Sequence, residues 1–294
     1  MSSFIQKNMQ QDTAQLSATL ALDTSTARIE VQCLLQHALQ VSRAYLIAHP
    51  EYVLSDTEQS QYASILQRRL CGEPLAYILG EREFFGLMFQ VNAATLIPRP
   101  DTELLVEKAL QCIPKNASEN YHLLDLGTGS GAIALSIAQQ RPHINVVASD
   151  FSTEALHVAR ENSRRLKINN VNFCHSDWFV ALSPQRFDFI VSNPPYIAEN
   201  DAHLQNGDLR FEPRTALASG ADGLRDIKKI ISASHQHLKP NAQLWLEHGH
   251  QQASQVRALL QQAQFHNIHS ALDLAGIERI SGGRQNIDPI GASH

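Results

Sequence analysis

The side chains best suited to chemistry stand in the tetrapeptide Asn193-Pro-Pro-Tyr196, which follows the apolar run 187–192. Consecutive prolines fix the backbone and donate no hydrogen bond, so they stiffen the loop at the end of this run. The Asn193 side-chain oxygen and the Pro194 carbonyl can then each accept a hydrogen from a planar amide or amino nitrogen, while Tyr196 stacks on the flat group. The tetrapeptide predicts a site that orients a weakly nucleophilic nitrogen. A proline-rich turn capped by Asn193 is the alternative for the motif taken alone.

A glycine-rich turn, Asp125-Leu-Gly-Thr-Gly-Ser-Gly131, lies between an apolar run and a helical pattern. Glycines let the backbone turn tightly and approach a ligand, and the free N–H groups of the following helix point toward that ligand. Asp150 follows Gly131 by 19 residues, a distance at which an acidic side chain in such folds binds ribose hydroxyls. The two features predict a nucleoside site; a structural turn and a helix cap at Asp150 are the alternatives.

The chemistry of the turn favours S-adenosylmethionine over a dinucleotide. The spacing is G-x-G-x-G, and the carboxylate of Asp125 suits a sulfonium and an α-amino group better than a pyrophosphate. Asp177 and Trp178 follow a third apolar run and can bracket the adenine, although a core aromatic is the alternative for Trp178. The predicted cofactor contacts are Asp125, Gly127, Thr128, Gly129, Ser130, Gly131, Asp150, Phe151, Asp177 and Trp178.

The elements around these motifs alternate between strand and helix. Strand patterns occupy 122–126, 145–148, 171–175, 187–192 and 242–247. Helix patterns occupy 132–140, 153–166 and 224–238. Such alternation predicts a parallel sheet covered by helices on both faces. Because ligands bind at the carboxyl edge of such a sheet, we expect the glycine turn, Asp150 and the proline motif to meet there.

The N-terminal part has a helical character. Apolar spacing predicts a helix from Arg28 to Leu46, and the capping-box pair Ser55 and Glu58 starts another. A weaker helix is predicted around 15–22. We therefore predict a helical N-terminal domain over residues 1–82.

A short hairpin linker is predicted over 83–97, where aromatic and β-branched residues surround Gly86 and Asn92. The remaining domain, 98–294, begins with a helix that Asp101 is expected to cap. The stretch 198–223 is longer than usual connections, which predicts a substrate-facing flap, with disorder as the alternative.

Composition narrows the class of protein. Of the 294 residues, 43% are hydrophobic and 18% charged, and the net charge of −5 gives no general attraction to nucleic acid or an anionic membrane. The N-terminus has no hydrophobic signal segment, so we expect a cytoplasmic location. The four cysteines form no C-x-x-C pair and are predicted to be buried thiols, and no cluster predicts a metal site.

Several sequence blocks together resemble the class I S-adenosylmethionine-dependent methyltransferases, and within them the protein-(glutamine-N5) family that modifies peptide chain release factors. The resemblance spans nearly the whole chain. Its blocks are Pro74-Leu-Ala-Tyr-Ile-Leu-Gly80, Phe84-Phe-Gly86, Ile97-Pro-Arg-Pro-Asp-Thr-Glu103, 125–131, Asp150, 193–196, Glu212-Pro213, Asp222-Gly-Leu224 and Glu247-His-Gly249. For the last of these we expect a structural role.

The resemblance implies an α/β fold: a Rossmann-like seven-stranded methyltransferase domain, its last two strands antiparallel, preceded by a small all-α N-terminal domain for substrate recognition and a β-hairpin linker. It implies S-adenosylmethionine as methyl donor, S-adenosylhomocysteine as product, and the glutamine of a Gly-Gly-Gln loop in release factors 1 and 2 as acceptor. The acceptor contacts would be Asn193, Pro194, Pro195, Tyr196, Arg99, Pro100 and Thr102. The resemblance also implies that Asn193 contacts the cofactor.

Three other functions remain open from the sequence. One is methylation of a ribosomal-protein glutamine, and a second is methylation of an exocyclic amine of DNA or RNA, against which the net charge weighs. The third is a dehydrogenase or a nucleotide-binding module without chemistry. We expect a monomer with a protein substrate, and no binding of membrane or nucleic acid.

Overall fold

The computed structural model describes residues 4–182 and 184–286. The chain forms two compact units: the first comprises Met1–Gly80 and Gln205–Phe211, and the second comprises Glu81–Leu204 and Glu212–His294. The hairpin predicted as a separate linker thus belongs to the second unit, while a short insertion from the C-terminal part of the chain belongs to the first. Within the described ranges, no helix is long and apolar enough to cross a membrane.

Helices build the first unit. They are α1 (Ile5–Leu20), α2 (Thr24–Leu39), α3 (Arg43–Ala48), α4 (Asp56–Leu70) and α5 (Leu75–Leu79). The first helix begins ten residues before the predicted range 15–22, because Asn8 and Thr13 occupy buried positions and interrupt its apolar periodicity. The capping box at Ser55 and Glu58 is confirmed at the start of α4.

The single helix predicted over 28–46 is wrong, since two helices fill this range. Helix α2 ends at Leu39, and Gln40 adopts a left-handed conformation with φ of 53°. The Ser42 hydroxyl then accepts the backbone N–H of Tyr45 at 3.2 Å and starts α3. The apolar spacing continues through this break, so periodicity alone conceals it.

The second unit opens with a β-hairpin of strands β1 (Glu81–Phe84) and β2 (Leu87–Gln90). The two turn residues, Phe85 and Gly86, both have positive φ, 51° and 75°, as a type I′ turn requires. The Glu103 carboxylate accepts the backbone N–H of Phe85 at 3.0 Å and anchors this turn.

The remaining elements follow in an alternating order. They are α6 (Glu103–Cys112), β3 (His122–Leu126), α7 (Ala132–Gln140), β4 (Asn145–Asp150), α8 (Thr153–Leu166), β5 (Val171–His175), β6 (Phe187–Ser192), α9 (Arg214–Leu217), α10 (Arg225–Ser234), β7 (Leu238–Glu247), α11 (Ala253–Gln262), β8 (His266–Leu272) and β9 (Glu278–Arg284). Short 3-10 helices cover Pro100–Thr102, Ala202–Gln205 and Gly207–Phe211. The stretch 198–223 is therefore folded, and the disorder alternative is wrong.

Seven strands form one sheet in the order β5-β4-β3-β6-β7-β9-β8. The first five run parallel, and β9 lies antiparallel to both β7 and β8. The last two strands therefore pair antiparallel as expected, but only β9 opposes the direction of the others. The predicted α/β architecture is confirmed.

Alternate strand residues enter separate cores on the two faces of the sheet, as the pleat requires. Leu123 and Val191 belong to the core with α6 and α7, whereas Leu124 and Ile190 belong to the core with α10 and α11. The sheet is thus covered by helices on both faces.

Two smaller predictions fail here. None of the four cysteines is buried: Cys71 is exposed, and the other three are half-buried. Asp101 does not cap α6, because it lies inside the preceding 3-10 helix and instead pairs with Arg279 at 3.1 Å. An ion-pair partner distant in sequence determines the role of the Asp101 side chain, and local spacing cannot predict that partner.

Candidate functional site

A cavity of about 830 Å³ opens in the second unit at the carboxyl ends of β3, β4, β5 and β6. Its size lies within the range of about 300–1,000 Å³ typical of small-molecule sites. The loops that follow these four strands supply much of its lining, including Gly127, Asp150, Trp178 and Asn193. The predicted meeting of the separate motifs at one sheet edge is therefore present in the fold.

The glycine turn after β3 forms one wall of the cavity. The backbone N–H groups of Gly127 and Thr128 both donate to the Ser149 carbonyl at 2.9 Å, which ties the turn to β4. Gly131 has φ of 86°, and a Cβ there would approach Leu135 to 2.9 Å, so this position favours glycine. Asn162 holds the turn from behind by donating to the Ser130 carbonyl at 2.9 Å.

Asp150 lines the cavity at the end of β4. One carboxylate oxygen accepts the Gly129 N–H and the other accepts the Ser152 N–H, each at 2.8 Å. Burial raises the pKa of Asp150, and these backbone donors oppose the rise. Because a carboxylate oxygen accepts more than one hydrogen bond, both oxygens remain able to receive hydroxyl donors. The alternative prediction was that Asp150 caps the helix that follows. Asp150 does accept the Ser152 N–H, but the side chain that caps α8 is the Ser152 hydroxyl.

Trp178 and Phe151 provide aromatic surface at the cavity. The Trp178 ring lies 3.6 Å from the position of a Gly127 Cβ, and its backbone is left-handed with φ of 49°. Phe151 is 67% exposed at the rim. Asp177 also lines the cavity. These predicted cofactor residues surround one volume with Thr128, Gly129 and Ser130.

Asp125 and Gly131 lie outside this lining. Asp125 is fully buried at the end of β3, where one carboxylate oxygen accepts the Thr128 hydroxyl at 2.6 Å and the Ala134 N–H at 3.2 Å. Burial raises the pKa of Asp125 to about 7, while these two hydrogen bonds oppose the rise. Asp125 thus supports the shape of the turn through these two hydrogen bonds, and its direct contact with the cofactor stays a prediction.

The proline motif after β6 is only partly exposed to the cavity. Asn193 and Pro195 line it, and the Asn193 side-chain nitrogen donates to the Thr102 hydroxyl at 3.1 Å. Pro194 and Tyr196 are outside the lining. The Tyr196 hydroxyl donates to the Glu247 carboxyl at 3.4 Å, and the stacking of its ring on the acceptor stays a prediction.

The block 97–103 contributes a second wall. Arg99 and Thr102 line the cavity, whereas Pro100 is exposed outside it. The buried carboxylate of Glu212 accepts the Ile97 N–H at 3.1 Å and pairs with the Arg99 guanidinium. The Glu212-Pro213 block is thereby bonded to the block that supplies Arg99.

Each cation in the lining has an acceptor within the same unit. The pairs are Arg99 with Glu212, Arg214 with the Glu199 carbonyl at 3.2 Å, Arg225 with the Glu199 carboxylate at 2.7 Å, and Lys229 with Asp226 at 3.9 Å. Three of these four cations therefore face a carboxylate, whereas Arg214 bonds a carbonyl oxygen and keeps its charge. In the described part of the chain, no group of three His, Cys, Asp or Glu side chains could hold a metal ion.

Three buried polar residues support the site but were not assigned to it from the sequence. They are Asn162 behind the glycine turn, Glu212 behind Arg99, and Glu247 behind Tyr196. Glu212 and Glu247 belong to sequence blocks that resemble the methyltransferase family, and this resemblance was the signal that could have identified them. Asn162 had none, because an Asn within a helix is ordinary until its partners are known.

Comparisons with known proteins agree with this geometry. A family model described as methyltransferase small domain matches residues 101–210, and another described as PrmC N-terminal domain matches residues 13–80. A methyltransferase structure from Pyrococcus furiosus superposes with a TM-score of 0.53 at 16% identity, covering 76% of this chain and 100% of that one. That likeness concerns the fold alone.

Two relatives are similar over most of the chain. The release factor glutamine methyltransferase of Burkholderia pseudomallei is 50% identical over 277 residues, covering 92% of this chain and 95% of the relative. The Escherichia coli protein of the same name is 44% identical over 261 residues, covering 89% and 93%. With the methyltransferase fold and the proline motif beside the glycine turn, this similarity establishes that the chain belongs to the release factor glutamine methyltransferase family.

Proposed function

We propose that this enzyme transfers a methyl group from S-adenosylmethionine to the side-chain nitrogen N5 of the glutamine in the Gly-Gly-Gln loop of release factors 1 and 2. The observation that carries the proposal is the position of the Asn193 amide, which lines the same cavity as the glycine turn and Asp150. The names of the relatives at up to 50% identity support the choice of substrate.

The residues present fit the proposed cofactor. Asp150 has acceptor capacity for two ribose hydroxyls, and Trp178 offers a flat ring for the adenine. A Cβ at Gly129 would meet no atom within 4 Å, so the backbone there leaves open space for a ligand. When bound, S-adenosylmethionine supplies an electrophilic methyl group on a sulfonium and is converted to S-adenosylhomocysteine.

The chain's own contribution is to hold the acceptor nitrogen. Because the Asn193 nitrogen donates to Thr102, its side-chain oxygen is the atom left to accept a hydrogen from the glutamine amide. The Pro194 carbonyl is the proposed second acceptor. These two contacts orient the amide lone pair, and such alignment of reactants is worth about 7–11 kcal/mol of barrier. No general base is required, since the proton is released to water once the nitrogen carries the methyl group.

The pairing of the cavity cations also favours an uncharged acceptor. A nucleic-acid substrate is held largely through contacts of Lys and Arg with phosphate. Here Arg99 and Arg225 are each neutralised by a carboxylate. A glutamine side chain carries no phosphate, so its binding requires no unpaired Lys or Arg in the cavity. The substrate-recognition role of the helical N-terminal domain stays a prediction.

The test supplies methyl-tritiated S-adenosylmethionine with purified release factor, ribosomal proteins or DNA. We expect label in the release factor, and none when its Gly-Gly-Gln glutamine is replaced by alanine. Asn193→Ala should abolish turnover while S-adenosylmethionine still binds with nearly unchanged affinity, and Asn172→Ala, at an exposed position of β5, serves as the matched control. Label in nucleic acid or ribosomal protein alone, or near-normal turnover by Asn193→Ala, would refute the proposal.

A further inference from the structure

The glycine turn needs support from neighbouring elements because its own backbone is pliable. Gly127, Gly129 and Gly131 all have positive φ, of 71°, 57° and 86°. Glycine gives the backbone little stiffness, so a turn with three such residues keeps its shape only where other groups fix it. The hydrogen bonds to the ends of β3 and β4 supply part of this support. A further hydrogen bond comes from helix α8.

The donor of that bond is the side chain of Asn162, which is fully buried within α8. Its nitrogen donates to the Ser130 carbonyl of the turn at 2.9 Å and to the Gln90 carbonyl at 3.0 Å. Its oxygen accepts the Gln90 N–H at 2.7 Å. Both amide hydrogens are used, so the partners define the orientation of the amide. Because asparagine is a weak helix former, these partners explain its place better than the helix does.

The two segments that Asn162 joins lead to two walls of the cavity. Ser130 lies in the glycine turn and lines the cavity itself. Gln90 is the last residue of β2, and the loop that follows it, residues 91–98, is called the exit loop below. The exit loop lines the cavity through Ala94, Thr95, Leu96 and Pro98. One buried amide therefore bonds the turn to the residue from which the second wall starts.

We propose that Asn162 is a positioning residue for cofactor binding: it fixes the glycine turn relative to the exit loop and so keeps the cavity that both line in the shape that accepts S-adenosylmethionine. Asn162 is outside the lining and acts through Ser130 and Gln90. The inference rests on the proposed function, because it takes S-adenosylmethionine as the ligand of this cavity.

Two substitutions remove the support while keeping the size of the side chain. Asn162→Asp retains an acceptor for the Gln90 N–H but places a second oxygen against the carbonyls of Ser130 and Gln90. An ionised carboxyl has no hydrogen to donate and a protonated one has a single hydrogen, so at least one carbonyl loses its donor. Asn162→Leu removes all three hydrogen bonds. In both variants the turn can move in the free enzyme, and binding must bring it back, which lowers the affinity.

Asn170 provides a matched control in the same unit. Its side-chain nitrogen donates to the carbonyls of Ala138, Arg141 and Ile144, at 3.3, 3.1 and 3.1 Å. None of these four residues lines the cavity. Asn170→Asp therefore removes the same kind of hydrogen bond at a place that does not support the turn.

The experiment measures the dissociation constant of S-adenosylmethionine by calorimetry and the stability by urea unfolding. We expect Asn162→Asp and Asn162→Leu to raise the dissociation constant about 5- to 30-fold, the equivalent of one or two net hydrogen bonds. Asn170→Asp should also destabilise the fold but change the dissociation constant by less than about twofold. A merely structural Asn162 would lower stability without changing the affinity of the folded protein. Unchanged affinity in both folded Asn162 variants, or an equal loss in Asn170→Asp, would overturn the inference.

A second readout needs no ligand. The Gly129 N–H donates to the Asp150 carboxylate at 2.8 Å, and its hydrogen exchange, followed by NMR, reports on opening of the turn. We expect this amide to exchange at least about fivefold faster in both Asn162 variants than in the wild-type protein or Asn170→Asp. Equal exchange in all four proteins would overturn the inference. A wild-type protein that binds no S-adenosylmethionine would instead refute the proposed function, and the Gly129 exchange would still decide whether Asn162 holds the turn.

Discussion

Replacement of Asp125 by asparagine distinguishes a residue that binds the cofactor from one that shapes the turn. The Asp125 side chain is fully buried, and one oxygen accepts the Thr128 hydroxyl and the Ala134 N–H. A carboxamide has the same shape and retains an acceptor oxygen. Asp125→Asn can therefore preserve both hydrogen bonds while removing the charge.

The expected effect on cofactor affinity is small. A direct bond from Asp125 to a charged amino group would contribute about 1.5–3 kcal/mol, and its loss would raise the dissociation constant about 10- to 150-fold. Because Asp125 does not line the cavity, we expect Asp125→Asn to change the dissociation constant of S-adenosylmethionine by less than about threefold.

The effect on stability should depend on pH. Burial raises the pKa of Asp125 from 3.8 to about 7. Between these pH values the folded protein binds more protons than the unfolded chain, so the free energy of unfolding falls as the pH rises through this interval. The pKa difference corresponds to about 4 kcal/mol. Asp125→Asn removes this contribution. Between pH 4 and pH 8 the free energy of unfolding should therefore fall less in the variant than in the wild type, by up to about 4 kcal/mol. The buried Glu247 causes a similar fall in both proteins.

Isothermal titration calorimetry measures the affinity, and urea unfolding at several pH values measures the stability. Both tryptophans, Trp178 and Trp245, lie in the second unit, so their fluorescence reports on the unit that contains Asp125. Asp188→Asn, at a half-buried aspartate paired with Lys239, is the matched control. A loss of cofactor affinity beyond tenfold in Asp125→Asn, with an unchanged pH dependence of stability, would show that the reasoning from burial is wrong.

Two further predictions concern Asp150 and the first unit. Asp150→Ala should raise the dissociation constant of S-adenosylmethionine about 10- to 100-fold through loss of charged hydrogen bonds, as measured by calorimetry; an unchanged constant would remove Asp150 from the cofactor site. Arg69→Met should lower the free energy of unfolding of the first unit by up to about 3 kcal/mol, because it leaves the half-buried carboxylate of Glu30, 2.8 Å from Arg69, without its ion-pair partner. Adding Glu30→Leu should restore most of this loss in thermal unfolding, and no restoration would contradict the pairing.

Regular elements of the sheet domain were predictable from the sequence. The ranges predicted for β3, α7, α8, β5 and β6 coincide with those observed. Each of these segments has a simple apolar pattern bounded by glycine, proline or a capping residue, and such local signals need no partner elsewhere. The prediction failed at Gln40, where the apolar pattern runs across a break between two helices.

Side-chain roles were less predictable than the elements that carry them. Asp101 has the type and position of a helix cap, yet Arg279 from β9 takes it as a partner. Tyr196 stands in the expected loop, but its hydroxyl bonds Glu247 from β7 and the residue does not line the cavity. In both cases the partner that determines the side chain's role belongs to a strand far along the chain.

The sequence by itself determined the alternating architecture, the edge at which the glycine turn and the proline motif meet, and the family, because these depend on local patterns and on motif combinations. Only the tertiary structure decided which motif residues face the cavity and which support it from behind. That division depends on burial and on partners brought together by strand order: Asp125, Glu212 and Glu247 are carboxylates whose roles follow from the atoms around them, and no spacing in the sequence records those neighbours.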